Sequence, residues 1–325
     1  MLPTAVTQIT QGNTQILIKN DMPASEILGQ IGQRVTDLTT QLDPHKCCKQ
    51  PMESGKFGNI YSGMLCDGTR VALKCLRLEL DQSAEGRRLV ESFASELYIW
   101  SKCKHANVIE LIGMATYLNQ FVMVSPWMDN GNLKQFLHKS TYSLTERLQL
   151  CTQITSGVAY LQGKKIVHGD LKAASFISIQ YTCQSSLVDI IEDEYLDDQS
   201  LAFRSSDLVS NGTIRWTAPE ILLGVNKGKP SHEADIYSLG MTIFEVMTGS
   251  IPYNDTTEPI ALTRILQGIV PERPVEYIPN GNKQADSLWL LLTNYCWLHE
   301  PKERVSAADL YHQIQNIHQG SRTSL

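Results

Sequence analysis

Residues 167–176 read VHGDLKAASF, and this stretch decides how the rest of the chain is interpreted. His168, Asp170 and Lys172 stand at alternate positions in a short loop, after an amphipathic run and before an apolar one. An aspartate placed there can accept a proton from a hydroxyl group, and a lysine two residues later can offset negative charge that develops during group transfer. The loop therefore indicates an acid–base or group-transfer site.

The composition sets broad limits on the function. The chain has 325 residues, of which 42% are hydrophobic and 19% are charged, as in ordinary globular proteins. Its formal net charge of −6 gives no support for nucleic acid or an anionic membrane as the main partner. No apolar run approaches the ~20 residues needed to span a membrane, and the first residues do not resemble a secretory signal.

The cysteines favour a reducing compartment. There are eight, and they contain no C-x-x-C pair, so a zinc site is not expected. A chain of this length does not need a disulfide framework, which indicates an intracellular and specifically a cytoplasmic protein.

The pattern of apolar residues predicts a small β-rich part followed by a larger helical part. Residues 1 to about 23 are predicted to be a loose leader, and Ala24–Leu42 an amphipathic packing helix. Strands are expected at 59–65, 70–78, 108–118 and 120–128, with turns at the Asp-Gly of CDGT and at Asn119. Helices are expected at 85–103, 130–139, 143–163, 233–248, 286–297 and 306–318. Ser143 and Glu146 form a predicted capping box.

Two motifs in the β-rich part suit phosphate binding. In ESGKFGNIY (residues 53–61), Gly55 and Gly58 would let backbone N–H groups approach a phosphate, although a plain glycine-rich hairpin has the same pattern. Lys74 ends the apolar run VALK, and a helix with Glu96 follows. A lysine held by a carboxylate can clamp the α- and β-phosphates of a nucleotide, but Lys74 taken alone could equally be a surface charge.

Further motifs follow the opening loop in a fixed order. Asp189 ends the run SLVD, where a carboxylate can hold Mg²⁺ against phosphates. GTIRWTAPE (212–220), ADIYSLGMTIFEVMTG (234–249) and CWLHEPKER (296–304) come next. Glu220 and Arg304 are predicted to form a buried ion pair, and Asp235 to accept backbone N–H groups of the opening loop.

Taken together, residues from about Lys49 to His318 resemble the eukaryotic protein kinase domain of the tyrosine-kinase-like group, as expanded in mushroom-forming fungi. The motifs that carry the resemblance are VSPWMDNGNL, IVHGDLK, IRWTAPE, DIYSLGMTIFEVMTGSIPY and CWLHEPKER. The resemblance implies an α+β, two-lobed kinase fold with ATP in the cleft and Mg²⁺, or Mn²⁺, as the metal. The implied divisions are an extension (1–45), an N-lobe (46–125), a hinge (126–128), a C-lobe (129–318) and a tail (319–325).

The resemblance also implies roles for individual residues. Asp170 and Lys172 would be catalytic, and Asp189 and Ser175 would be the metal ligands. Ser125 would be the gatekeeper. The residues expected to bind the nucleotide are Gly55, Gly58, Ala72, Lys74, Glu96, Ser125 and Met128.

Four positions depart from the family's pattern. Gly169 replaces the arginine that receives an activation-loop phosphate, so activity should not depend on that phosphate. Ser175 replaces the asparagine that ligates a second Mg²⁺, which should slow transfer without preventing binding. Ile191 replaces a glycine and should restrict movement of its segment. Glu53 replaces the first phosphate-loop glycine and places an acid where phosphate would lie.

Two functions remain open from the sequence alone. One is a slow ATP-dependent kinase that phosphorylates protein serine or threonine, the hydroxyl type that Lys172 favours. The other is a pseudokinase that acts as a signalling or scaffold module. A kinase fold that acts on small molecules fits less well, because GTIRWTAPE resembles a peptide-docking segment.

Overall fold

A computed structural model describes residues 6–9, 16–19, 34–55, 58–75, 84–179, 182–185, 191–192 and 213–320. The chain divides into two compact units. The N-terminal unit comprises Met1–Lys104 and Ile109–Met128, and the C-terminal unit comprises His105–Val108 and Asp129–Leu325. Within the described ranges, no helix combines the length and apolar character that crossing a bilayer would require.

The N-terminal unit begins with a short hairpin. Strands β1 (Val6–Ile9) and β2 (Ile16–Lys19) pair antiparallel, with Val6 opposite Lys19 and Ile9 opposite Ile16. The prediction of a loose leader over residues 1 to 23 is therefore wrong for these two segments. Both strands are rich in β-branched residues, which favour extended backbone, but four residues are too few for alternation to stand out.

A five-stranded antiparallel sheet forms most of this unit. Its strands lie in the order β3-β4-β5-β7-β6. The elements are β3 (Glu53–Gly55), β4 (Gly58–Met64), β5 (Arg70–Cys75), helix α1 (Ala84–Ser101), β6 (Gly113–Tyr117) and β7 (Gln120–Pro126). The predicted turns are confirmed: Gly68 has φ of 92°, and Leu118 and Asn119 have φ of 49° and 60° in a two-residue hairpin loop. The strand expected over 108–118 is shorter and begins only at Gly113.

The helix predicted over Ala24–Leu42 does not extend to Leu42. Among its described residues, only Thr39–Gln41 form a single 3₁₀ turn. The Met114 carbonyl accepts a hydrogen bond from Leu38 N–H at 2.7 Å, and Met114 N–H donates to the Thr36 carbonyl at 2.9 Å. The chain is extended here because it pairs with the outer edge of β6, whose backbone groups would otherwise lack a partner. Leu38 is nevertheless buried, as its apolar pattern required.

The C-terminal unit is mainly helical. Its elements are α2 (Leu133–Leu137), α3 (Leu144–Gly163), β8 (Ile166–Val167), β9 (Phe176–Ile179), β10 (Thr182–Ser185), β11 (Ile191–Glu192), α4 (Pro219–Leu222), α5 (His232–Thr248), α6 (Glu258–Leu266), α7 (Lys283–Leu291) and α8 (Ala307–His318). A π-helix, Leu292–Cys296, continues α7. The sequence pattern did not predict α4 or α6.

Apolar burial explains how this unit is organised. Nearly every residue of α5 is buried, so α5 is the central helix against which other elements pack. Helix α3 begins at the predicted capping box, in which the Glu146 N–H donates to Ser143 Oγ and the Ser143 N–H donates to Glu146 Oε2. A β-sheet unit followed by a helical unit confirms the α+β fold class.

Candidate active site

A buried ion pair joins the sheet of the N-terminal unit to helix α1. Lys74 lies on β5, where its backbone is opposite Ile60 of β4 and Met123 of β7. Its Nζ atom is 2.5 Å from Oε1 of Glu96, which lies on α1. Both residues are buried. The structure thus brings Lys74 and Glu96 together, and the pair presents an ammonium group held in one position by a carboxylate.

The same sheet carries other residues predicted to bind a nucleotide. Ala72 is two positions before Lys74 on β5, so their side chains share a face, and Ala72 is opposite Ser125 of β7. Ser125 is buried, and Met128 is half-buried just after β7. Gly55 and Gly58 are opposite each other where β3 meets β4. These positions follow from the strand register, which fixes which side chains share a face.

In the C-terminal unit, Asp235 of helix α5 anchors the loop between β8 and β9 through hydrogen bonds to its backbone. The two carboxylate oxygens of Asp235 accept the backbone N–H groups of His168 at 2.7 Å and Gly169 at 2.9 Å. This confirms the bond predicted for Asp235. Burial raises the pKa of the Asp235 carboxyl, while His168 and the two N–H groups act to lower it.

Gly169 has a backbone conformation that few other residues tolerate. Its φ is 78°, in the left-handed region, where a side chain would meet the backbone. At this position the resemblance leads one to expect an arginine. Glycine therefore removes a charged side chain and also relieves backbone strain at the base of the loop.

Replacing Gly169 by alanine should lower the free energy of unfolding by about 1–2 kcal/mol, because alanine gains a Cβ in the left-handed region. Urea unfolding of the purified full chain measures this change. Gly163→Ala is the matched control, since Gly163 has no positive φ and a Cβ added there meets nothing within 4 Å. Equal effects of the two substitutions would contradict the explanation from backbone strain.

Asp170 and Lys172 form the charged centre of the loop. The Lys172 Nζ atom lies 2.7 Å from Asp170 Oδ2 and 3.0 Å from Oδ1. The two side chains remain partly exposed, at 18% for Asp170 and 25% for Lys172. Ser175 follows in a 3₁₀ turn, and its hydroxyl donates to the main-chain carbonyl of Asp170 at 2.7 Å. The structure thus gathers three predicted site residues, Asp170, Lys172 and Ser175, in one loop.

Glu245 is an important residue that the sequence analysis missed. It lies on α5, and its Oε2 accepts both the backbone N–H of Ala173 at 2.9 Å and the indole N–H of Trp216 at 3.0 Å. One buried carboxylate therefore ties the charged loop to the segment GTIRWTAPE. Burial raises the pKa of Glu245, while these two hydrogen bonds and the nearby Lys134 and Lys172 act to lower it.

The Glu245 carboxyl should make stability depend on pH. Its pKa is raised above the ordinary value of 4.5, so the folded chain holds the proton more tightly than the unfolded chain does. The stability that this group contributes is full below about pH 4 and is lost as the pH rises through the folded pKa. Wild type should therefore lose unfolding free energy relative to Glu245→Gln, whose amide does not titrate, as the pH rises from below 4.5 through the raised folded pKa.

Urea unfolding of both proteins across this range tests the Glu245 prediction. A glutamine can accept the same two N–H groups, so the variant should fold. Unfolding free energies that stay a constant distance apart, or that diverge in the opposite direction, would contradict the assigned direction of the pKa shift.

Two buried arginines fix the segment that follows the loop. The guanidinium of Arg215 donates to the main-chain carbonyls of Pro252, Tyr253 and Thr256. Arg304 forms two parallel hydrogen bonds to Glu220, of 2.7 and 2.8 Å, which confirms the predicted ion pair. The Arg304 side chain is completely buried. The segment is therefore held at both of its ends by charge-assisted bonds.

Asp189, which is predicted to bind the metal, lies outside the described residues, as does Ile190. Ile191 is described, in β11, where it pairs with Val167 of β8. Within the described ranges, no cluster of three or more histidine, cysteine, aspartate or glutamate side chains could hold a metal ion by itself.

Comparison with known proteins finds similarity to protein kinases. Residues 47–314 match the family described as "Protein tyrosine and serine/threonine kinase". The chain is 31% identical over 273 residues to Serine/threonine-protein kinase STY46 of Arabidopsis thaliana, covering 81% of this chain and 43% of that protein. It is 31% identical over 269 residues to Mitogen-activated protein kinase kinase kinase 1 of the same plant, covering 80% and 40%.

A tyrosine kinase is also similar. Tyrosine-protein kinase Src64B of Drosophila melanogaster is 26% identical over 273 residues, covering 81% of this chain and 45% of that protein. The chain spans less than half the length of each of these three relatives.

Proposed function

The chain belongs to the protein tyrosine and serine/threonine kinase family, and on this premise we propose that it transfers the γ-phosphate of ATP to serine and threonine hydroxyls of proteins. The observation that carries the proposal is the buried Lys74–Glu96 ion pair, with its 2.5 Å separation. In protein kinases this pair must be in place for phosphoryl transfer. The activity is assigned to residues 46–318.

In the proposed reaction, each charged residue has a distinct task. Lys74, held by Glu96, positions the α- and β-phosphates of ATP. Asp170 accepts a hydrogen bond from the substrate hydroxyl, orients its oxygen toward the γ-phosphorus and takes up its proton. The bond from this phosphorus to the bridging oxygen of ADP breaks as the new phosphoester bond forms. Lys172, beside Asp170, offsets the negative charge on the phosphoryl group.

ATP and a divalent cation, Mg²⁺ or Mn²⁺, are part of the proposal. The carboxylate of Asp189 is the residue assigned to hold the cation. When bound, the cation supplies positive charge that neutralises the phosphates during transfer. On the N-terminal unit, Ala72, Ser125 and Met128 are assigned to the adenine. Gly55 and Gly58 are assigned to the phosphates.

An intracellular, cytoplasmic location belongs to the same proposal. The cysteines whose side chains are described are all free thiols. Free thiols are the usual state in reducing compartments, whereas proteins in oxidising compartments commonly form disulfides.

The test is transfer of labelled phosphate from ATP to myelin basic protein and to the chain itself, with Mg²⁺ and separately with Mn²⁺. Lys74→Met and Asp170→Ala are the inactive controls. We expect wild-type incorporation well above both controls, with label on serine and threonine after acid hydrolysis. Wild type that matches the controls in both metals would overturn the proposed activity and favour a pseudokinase. Label on tyrosine alone would overturn the assigned hydroxyl type.

A further inference from the structure

The side chain of Ser175 is occupied within its own loop. Its hydroxyl lies 2.7 Å from the Asp170 carbonyl oxygen, and the residue is buried, with 7% of its surface exposed. A hydroxyl has a single proton to donate, and here the acceptor is a main-chain carbonyl. The bond spans five residues and closes the loop that carries Asp170.

Other contacts hold the same loop in one shape. Ser175 N–H donates to the Lys172 carbonyl at 2.8 Å, within the 3₁₀ turn 173–175. The backbone N–H of Ala173 donates to Glu245 at 2.9 Å. At the other end, Gly169 N–H donates to Asp235. The bond from Ser175 therefore fixes the main-chain carbonyl of Asp170, the residue assigned to the substrate hydroxyl.

The chemistry of the side chain explains why serine does not replace asparagine as a metal ligand. An asparagine amide has an NH₂ group that could donate to the Asp170 carbonyl and a separate oxygen that can ligate a cation. Serine has a single oxygen, which is bonded directly to Cβ and therefore lies one atom closer to the backbone than an asparagine oxygen. Mg²⁺ requires oxygen ligands at about 2.0–2.1 Å in near-ideal octahedral geometry and gives up water reluctantly. A hydroxyl that donates its proton keeps lone pairs for a cation, but the Ser175 oxygen is buried and held 2.7 Å from the Asp170 carbonyl oxygen, so it is not placed where an asparagine oxygen would ligate the cation.

We infer that Ser175 is a positioning residue for Asp170 and that the protein binds its nucleotide with one divalent cation, where protein kinases generally use two. The inference rests on the proposed function, because it concerns the same nucleotide. It leaves Asp189 as the carboxylate assigned to the single cation. It also explains the serine: relative to the asparagine of the family, Ser175 keeps the hydrogen bond to the Asp170 carbonyl but does not supply the ligand for a second cation.

The number of cations can be counted directly. The 325-residue chain is kept in excess over the non-hydrolysable analogue AMP-PNP, so that no nucleotide is free, and Mn²⁺ is titrated while free Mn²⁺ is measured by electron paramagnetic resonance. We expect one tightly bound Mn²⁺ for each nucleotide in wild type and two in Ser175→Asn. Two bound Mn²⁺ ions in wild type would overturn the inference, and so would a folded Ser175→Asn protein that still binds one.

The positioning role has its own measurement. Ser175→Ala keeps the Mn²⁺ count at one but should lower kcat about tenfold with the KM for ATP unchanged, because it removes one hydrogen bond that orients Asp170. Ser175→Thr retains the hydroxyl and should restore kcat. Thr152→Ala is the matched control, since Thr152 Oγ1 also donates to a main-chain carbonyl, that of Leu148 at 2.8 Å, but on helix α3. Its kcat should equal that of wild type.

The outcomes separate this inference from the proposed function. Failure of the protein to bind AMP-PNP with any cation would overturn the proposed function, and this inference with it. Binding of the nucleotide with two cations would overturn only the inference. If Ser175→Asn does not fold, Ser175→Ala still decides the positioning role, because wild-type kcat in that variant would contradict it.

Discussion

Replacing Asp170 by asparagine should lower the rate of phosphoryl transfer by about 10²- to 10⁴-fold. Asparagine has nearly the same size but cannot take up a proton from the substrate hydroxyl. It also leaves the Lys172 ammonium, now 2.7 Å from a carboxylate oxygen, without its anionic partner. Nucleotide binding should persist, because Lys74 and Glu96 belong to the other unit of the chain. Steady-state kinetics measure the loss, and a thermal-shift titration with ATP measures the binding.

A matched substitution shows whether loss of a negative charge is enough to explain the effect. Asp309→Asn removes a carboxylate at an exposed position on helix α8, where it accepts a hydrogen bond from Ser306 Oγ. This variant should retain wild-type activity. If Asp170→Asn kept more than a tenth of the wild-type rate, Asp170 could not be the residue that accepts the proton.

Replacing Glu220 by glutamine should destabilise the C-terminal unit by about 3–5 kcal/mol, because it leaves a buried guanidinium without a counter-charge. Arg304 is completely buried and cannot turn toward solvent. Its remaining acceptors are main-chain carbonyls, including those of Glu233 at 3.0 Å and Leu298 at 2.9 Å. These acceptors are polar but carry no net charge. Urea unfolding followed by tryptophan fluorescence measures the change.

The exposed pair Arg264–Asp255 provides the comparison for Glu220. It has a similar separation of 2.7 Å, but its side chains are 33% and 54% exposed. Asp255→Asn should therefore cost only about 0–1 kcal/mol. Equal losses in the two variants would show that burial does not determine the strength of the Glu220–Arg304 pair.

The parts of the fold that depend on local signals could be predicted from the sequence. The start of α3 follows from the pairing of Ser143 with Glu146, and the hairpin turn follows from Asp67 and Gly68. The stretch around Leu38 could not be predicted in this way. Its apolar spacing suits a helix, but pairing with the edge strand β6 gave these residues extended backbone. Such pairing depends on residues more than seventy positions away along the chain.

The residues of the candidate site likewise fall into those that sequence motifs revealed and those that they did not. Lys74, Glu96, Asp170 and Lys172 were found from motifs, because their charges stand in recognisable surroundings. Glu245 was missed, since a glutamate inside an apolar helix gives no signal that it faces Ala173 and Trp216 from two different segments. The hydroxyl of Ser175 was also beyond prediction. Its acceptor is a main-chain carbonyl, and no side chain in the sequence marks that atom.

The hydrogen bonds of Arg215 should make this residue less tolerant of substitution than the residues whose carbonyls it contacts. Every acceptor that it contacts, at residues 252, 253 and 256, belongs to the peptide backbone. Side chains at those three positions can change over evolutionary time without removing a single acceptor atom. A change at Arg215 removes all of the donors at once. Homologous sequences should therefore vary more at residues 252 and 256 than at Arg215, whereas Tyr253 is constrained for a separate reason, since it is buried and its hydroxyl donates to the Ile269 carbonyl.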